Sequence, residues 1–159
     1  MTIRFLPLFF WLLALQLTGC VTTQGGNTKI DKEKVVESQV KLGMAYLQLE
    51  NRESAMRAFT AALEVDKSSP QAHQGMALIH HMNGEMAAAE ASFKRALSSR
   101  SRKARSDVEY SYGRFLADRG NCKGAMPYFE RASKDIRYFR RVNAIFNLGQ
   151  CAGELGDED

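Results

Sequence analysis

The chain has 159 residues, 45 % of them hydrophobic, which suits one domain of modest size rather than several. Its formal charge is +4, and a start as apolar as this one removes only Arg4 if it is cleaved. A balance that small does not by itself indicate a nucleic-acid-binding surface, and three prolines with few β-branched runs favour an all-helical chain over a sheet.

The first stretch is Met1-Thr2-Ile3-Arg4, followed by a run from Phe5 to Leu17 that is apolar apart from Gln16. The run is about 13 residues, short of the ~20 that a membrane-spanning helix needs. A charged start, a short apolar core and small residues after it have the layout of a secretory leader, so residues 1–19 are expected to be removed. Leu17-Thr18-Gly19-Cys20 also resembles a bacterial lipobox. That resemblance implies that Cys20 becomes the first mature residue and carries lipid on its thiol and its amine. Several acyl chains at ~0.8 kcal/mol per buried methylene make release from a bilayer very slow. An ordinary leader with a chance cysteine and a spanning anchor are the alternatives. In Gram-negative lipoproteins an aspartate after the cysteine commonly signals inner-membrane retention. Val21 stands there instead, which implies the periplasmic face of the outer membrane. Residues 20–30 carry no apolar periodicity and include Gly25 and Gly26. They read as a lipidated flexible tether, with a reach of ~17 Å for ten residues.

From Asp31 onward the periodicity becomes helical. Asp31 suits an N-cap, and Val35, Val36, Gln39, Leu42, Gly43 and Tyr46 make a packed stripe on a helix running to Leu49. Glu50-Asn51-Arg52 turns the chain into a second helix from about Glu53 to Val65. Pro70 fits the first turn of the next helix. Asn83-Gly84 and then Arg119-Gly120-Asn121 mark the turns of two further helix pairs, and a last helix spans Arg141 to Leu155. The pairs repeat one another. Ala55, Phe59 and Ala62 stand twelve, sixteen and nineteen residues after Gly43. Ala89, Phe93 and Ala96 hold the same offsets from Ala77, and Ala125, Phe129 and Ala132 hold them from Gly113. Gly149 starts a fourth unit, and the anchors are spaced by 34, 36 and 36 residues.

A fixed period in this range means a repeat architecture. Small residues allow two helices to approach, and the aromatic residues fill the adjacent gaps. Each pair cannot bury its apolar face alone, so the pairs must stack. The pattern resembles the tetratricopeptide repeat. It implies an all-α, right-handed superhelical array over residues 31–159, with units near 36–69, 70–105 and 106–141 and a partial unit at 142–159. Repeat one departs at Glu50, where the others carry Gly84, Gly120 and Gly156. A stack needs an end element with a polar outer face. The helix Val142–Leu155 is therefore expected to expose apolar surface. It either serves as an improvised cap or belongs to an array longer than the chain shown, and the second is the expectation.

Candidate chemistry is sparse. His80 occupies the Tyr46 position and is expected to pack; His73 and His80 could share a face, but no second cluster completes a metal site. No phosphate-binding glycine loop or nucleophile elbow is present. The expectation is a protein that is not an enzyme, with no cofactor, metal or small-molecule substrate, and no nucleic acid partner. The segment from Ser98 to Arg105 holds four basic residues and reads as a solvated inter-repeat loop, with a contact for anionic lipid or an acidic partner as the alternative. Cys122 and Cys151 fall on helices that should pack together. In an oxidising compartment they could form a disulfide if their α-carbons come within about 7 Å. Two separately buried thiols are the alternative.

First helices of such arrays line a concave face. The residues flanking the packed stripe are then candidates for partner contact: Val40, Met44 and Leu47; Gln74, Leu78, His81 and Met82; Tyr110, Arg114 and Asp118; and Asn143, Phe146 and Gln150. Tyr110 and Phe146 are the better candidates. A groove of Val, Met, Leu, Tyr and Phe suits an extended peptide or an amphipathic helix.

Tyr112-Gly113-Arg114-Phe115-Leu116 followed by Gly120, and Phe146-Asn147-Leu148-Gly149-Gln150-Cys151, resemble the type IV pilus biogenesis lipoproteins of the PilF/PilW kind. The resemblance covers Cys20 and the array from about Val35 to Gly156. It implies a protein on the inner leaflet of the outer membrane that helps secretin subunits reach the membrane or assemble there. The expected partner is therefore a secretin subunit or another envelope protein, with the membrane reached through lipid on Cys20. This chain departs from the pattern at Ala117, where members often carry a cysteine, and in a shorter array. A scaffold for periplasmic cell-wall enzymes is the alternative function.

Overall fold

A computed structural model describes residues 31–99 and 104–156. The expected leader, the lipid on Cys20, the tether and Arg100, Arg102 and Lys103 of the basic segment lie outside the described residues. Among the described residues there are seven helices and no strand: α1 Lys32–Gln48, α2 Arg52–Val65, α3 Pro70–Met82, α4 Met86–Ser98, α5 Arg105–Ala117, α6 Cys122–Lys134 and α7 Arg141–Gly156.

Local chemistry sets most of the helix starts. Asp31, Asn51, Ser69 and Asn121 each accept a backbone amide of the first turn on a side-chain oxygen. Pro70 opens α3, where its missing N–H costs nothing. The turns inside the three pairs are copies of one another. The amides of Asn51, Glu85 and Asn121 reach back to the carbonyls of Tyr46, His80 and Leu116 at 2.9, 2.8 and 3.0 Å. The residue before each amide is left-handed: Glu50 at φ 57°, Gly84 at 78° and Gly120 at 71°. Glu50 thus takes a glycine's conformation with a side chain present, which costs about 1 kcal/mol.

Packing follows the repeat offsets. Phe59, Phe93 and Phe129 are fully buried, as are Ala55, Ala62, Ala89, Ala125 and Ala132. The Phe59 ring is held between α1 and α3. A Cβ added at Gly43 would stand 2.6 Å from Phe59 Cε1, and one added at Gly75 would be closer still to the same ring. Gly75 is not one of the repeat anchors, yet it is the tightest approach in the first interface. Gly113 repeats the arrangement against Phe129 Cε1 at 2.8 Å.

Each helix packs on the next in sequence, and the first helices of successive pairs also touch: α1 on α3, α3 on α5 and α5 on α7. No two second helices touch among the described residues. The array therefore bends toward the first helices, whose outward faces line its inner side. On α7, Ala144 and Cys151 are buried, and Leu148 and Leu155 pack against the same core. The opposite face is apolar and open: Val142 is 74 % exposed and Phe146 64 %.

Candidate functional site: the concave groove

Four of the first helices contribute to two adjoining cavities on the inner side. The first, between α3 and α5, has a volume of about 330 Å³ and is lined by Met44, Gln74, Leu78, His81 and Phe115 among others. The second, between α5 and α7, has a volume of about 590 Å³ and includes Val142, Asn143, Phe146, Asn147 and Gln150. Tyr110 and Arg114 of α5, with Asp118 just after it, line both and join them into one groove. Met44, Leu78, Tyr110, Arg114, Phe146 and Gln150 are thus brought together as the helical spacing requires.

The structure places the other candidates differently. Val40 packs against the Phe59–Ile79 cluster and lines a separate cavity beside Pro70. Met82 is exposed at the end of α3 and lines neither groove cavity. Tyr110 is only 5 % exposed, because its ring packs between Phe129 and Tyr138, each at 6.1 Å between centroids. It presents its hydroxyl edge rather than its ring: Asn147 Nδ2 donates to Tyr110 Oη at 3.4 Å. Phe146 is the aromatic ring that the groove offers. His80 is half-buried and does more than pack. Its Nδ1 bonds Glu85 across the turn, and that bond holds the Glu85 carboxyl below its ordinary range. His81 instead lies edge-on to Phe115 at 5.1 Å.

Asp107 organises the floor of the groove. Gln74 Nε2 of α3 donates to its Oδ2 at 2.8 Å, and the Tyr138 hydroxyl donates to its Oδ1 at 2.9 Å. Arg140, ahead of α7, stands 3.9 Å from the same Oδ1. Gln74 Nε2 also donates to Ser111 Oγ at 2.8 Å. Burial and the neighbouring Asp107 charge push the Tyr138 hydroxyl far above its usual range. Sequence spacing could not show this node, because Asp107 reads as an ordinary first-turn acid of α5. Its partners lie 33 and 31 residues away.

The cysteines close the far end. Cys122 opens α6, Cys151 lies on the buried face of α7, and their α-carbons are 4.9 Å apart with the sulfurs bonded. Glu154 Oε2 lies 3.0 Å from Cys122 Sγ, a contact and not a hydrogen bond, since a disulfide sulfur has no proton to give. Bonded in this way, Cys122 and Cys151 fix α7 to α6 and so fix one wall of the groove. Chemically the groove offers hydrogen-bonding amides (Gln74, Asn143, Asn147, Gln150), two guanidiniums (Arg114 and Arg140) and apolar surface at Phe146 and Val142. That set suits a peptide main chain with an apolar side chain. Among the described residues no cluster of three His, Cys, Asp or Glu could hold a metal ion. No described helix is long and apolar enough to cross a membrane.

Seven helices in repeated pairs with a first-helix groove define an all-α repeat array of the kind that binds other proteins. The Tetratricopeptide repeat family matches residues 40–107. The chain carries a tetratricopeptide-repeat domain and is similar to the type IV pilus assembly protein PilF of Pseudomonas aeruginosa, with 38 % identity over 152 residues. That match takes in 94 % of this chain and 59 % of the relative, so the chain spans less than two thirds of its relative's length. A solved structure of Pseudomonas aeruginosa PilF superposes with a TM-score of 0.73 at 30 % identity, over 79 % of this chain and 55 % of that one. PilW, described as a widely conserved type IV pilus biogenesis factor, superposes at 0.70 with 26 % identity, over 78 % and 56 %.

Proposed function

We propose that this protein is a lipid-anchored scaffold of type IV pilus biogenesis that promotes outer-membrane localisation or assembly of the secretin. The observation that carries the reading is the homology to the pilus assembly protein, extending over nearly the whole chain and including both walls of the groove. The groove supplies what a scaffold needs. Amide side chains and Arg114 can pair with an extended main chain, and Phe146 and Val142 can take an apolar anchor. The lipobox-like Leu17-Thr18-Gly19-Cys20 supports delivery of that groove to the inner leaflet of the outer membrane.

The test is co-purification of secretin from envelopes with the full chain, and with Arg114→Ala and Phe146→Ala together. Both side chains are exposed, so the double change should leave the fold intact and reduce secretin capture. Retention of a cell-wall hydrolase in place of secretin would overturn the reading. For the anchor, Cys20→Ser should move the protein out of the membrane fraction; unchanged fractionation would exclude lipid on that residue.

A further inference from the structure

A cavity separate from the groove opens where the α2–α3 link meets α3 and the end of α4. Its volume is about 540 Å³, and Lys67, Ser68, His73, Arg95, Ser98 and Ser99 line it. Two permanent cations, an imidazole and three hydroxyls thus face one cleft, with no carboxylate among the described residues of its wall. The cations are open. Arg57, Lys94, Arg131 and Lys134 on the second helices each stand against a carboxylate. The ammonium of Lys67 and the guanidinium of Arg95 are exposed and have no partner among the described residues. The neighbouring acid, Asp66, is engaged elsewhere: its Oδ1 accepts from the Ser68 amide and hydroxyl at 2.9 and 2.7 Å, and it lines a different cavity. His73 is tied to the same link, since its Nε2 donates to the Lys67 carbonyl at 2.9 Å. Unpaired cations sharing a cleft repel one another, and a bound anion removes that repulsion.

We propose that this cleft binds the phosphate of an anionic phospholipid and so lays this edge of the array on the bilayer. The choice of a membrane lipid rests on the lipid-anchored reading above, and two features of the cleft's surroundings agree with it. At Ser68 and Ser99 the cleft adjoins a larger cavity of about 830 Å³, whose apolar side chains are Val36, Val40, Val65 and Pro70. An apolar wall beside an anion site suits a phosphate head with a fatty tail better than a free phosphate. Lys32, the first residue of α1, lines that second cavity. The chain ahead of Asp31, Cys20 included, therefore joins the fold beside the cleft, and a ten-residue tether reaches ~17 Å. Attraction from so few basic residues is weak and screened by salt. The cleft orients an anchored chain and does not hold a free one. None of its six residues lines the groove, so lipid and protein partner can be bound together.

Vesicle sedimentation at low ionic strength tests the cleft, using the full chain carrying Cys20→Ser so that no anchor contributes. It should bind vesicles of phosphatidylcholine with phosphatidylglycerol roughly tenfold or more tightly than vesicles of phosphatidylcholine alone. Adding Lys67→Ala with Arg95→Ala should remove most of that difference, a loss of roughly tenfold or more, and leave the helical content unchanged. Lys94→Ala with Lys123→Ala takes away the same charge outside the cleft and should weaken binding far less. Equal binding to the two kinds of vesicle overturns the proposal. So does an equal loss in the two double variants, since net charge and not the cleft would then be responsible. Competition by inorganic phosphate at the concentration of the lipid phosphate would mark a free-phosphate site and overturn the choice of a lipid. Secretin capture by the chain with Cys20 intact should survive Lys67→Ala with Arg95→Ala, so failure of the cleft and failure of the function proposed above are read separately.

Discussion

Replacing Gly75 by alanine should destabilise the fold, although alanine is the better helix former. In an open helix the exchange gains about 0.5–1 kcal/mol. At Gly75 the added methyl would collide with the Phe59 ring, which is fully buried and already held from the other side by Gly43. The ring has no space to retreat into, so the change is an overpacking of the kind that costs about 1–3 kcal/mol. The net expectation is a loss of about 1–2 kcal/mol, or roughly 4–8 °C in Tm. Gly149 provides the internal comparison, since it too is mid-helix but its added methyl would meet nothing within 4 Å. Gly149→Ala should therefore stabilise by about 0.5–1 kcal/mol. Urea and thermal unfolding followed by circular dichroism read both values. Combining Gly75→Ala with Phe59→Leu should cost less than the two changes added together, because the smaller side chain makes room for the methyl. If Gly75→Ala stabilises as Gly149→Ala does, the ring is not clamped between α1 and α3, and the packing of the first interface is wrong.

Glu50→Gly should raise stability by about 0.5–1 kcal/mol in the same unfolding assay, because it relieves a left-handed residue whose counterparts are already glycine. Reduction of the Cys122–Cys151 bond, or Cys122→Ser with Cys151→Ser, should cost about 3.6 kcal/mol on the chain-entropy model for a loop of this separation, seen as a lower urea midpoint. Tyr138 gives a pH signature. A free tyrosine titrates near pH 10, whereas burial and Asp107 keep Tyr138 protonated well above that. Above pH ~10 the unfolded chain therefore holds fewer protons than the folded one, and stability should fall as pH rises. Tyr138→Phe should remove part of that alkaline slope, and an identical slope in the variant would show that Tyr138 is not the group responsible.

The repeat period made the fold legible because its cause is local. Gly43, Phe59 and their counterparts recur at fixed offsets, and the turns at Gly84 and Gly120 need a residue that tolerates positive φ. Most of the groove followed from the same geometry, since a helix fixes which residues flank its packed stripe. Depth was not legible. Tyr110 and Phe146 both flank the stripe as aromatic residues, yet one is buried under Tyr138 and the other is open. The difference comes from the segment between α6 and α7, which no periodicity describes. Gly75 and Asp107 were missed for a related reason. Their roles depend on a ring from the preceding pair and on partners about thirty residues away, and neither contact leaves a mark at their own positions.

The central reading is that the inner groove, and not the outer surface, holds the envelope partner. Site-specific photo-crosslinking from the full chain in its native envelope tests this most directly. A crosslinker at Arg114 or Gln150, both exposed on the groove, should capture secretin, and one at Glu64 or Lys94, both exposed on second helices, should not. Secretin captured from Glu64 and Lys94 but not from Arg114 or Gln150 would contradict it.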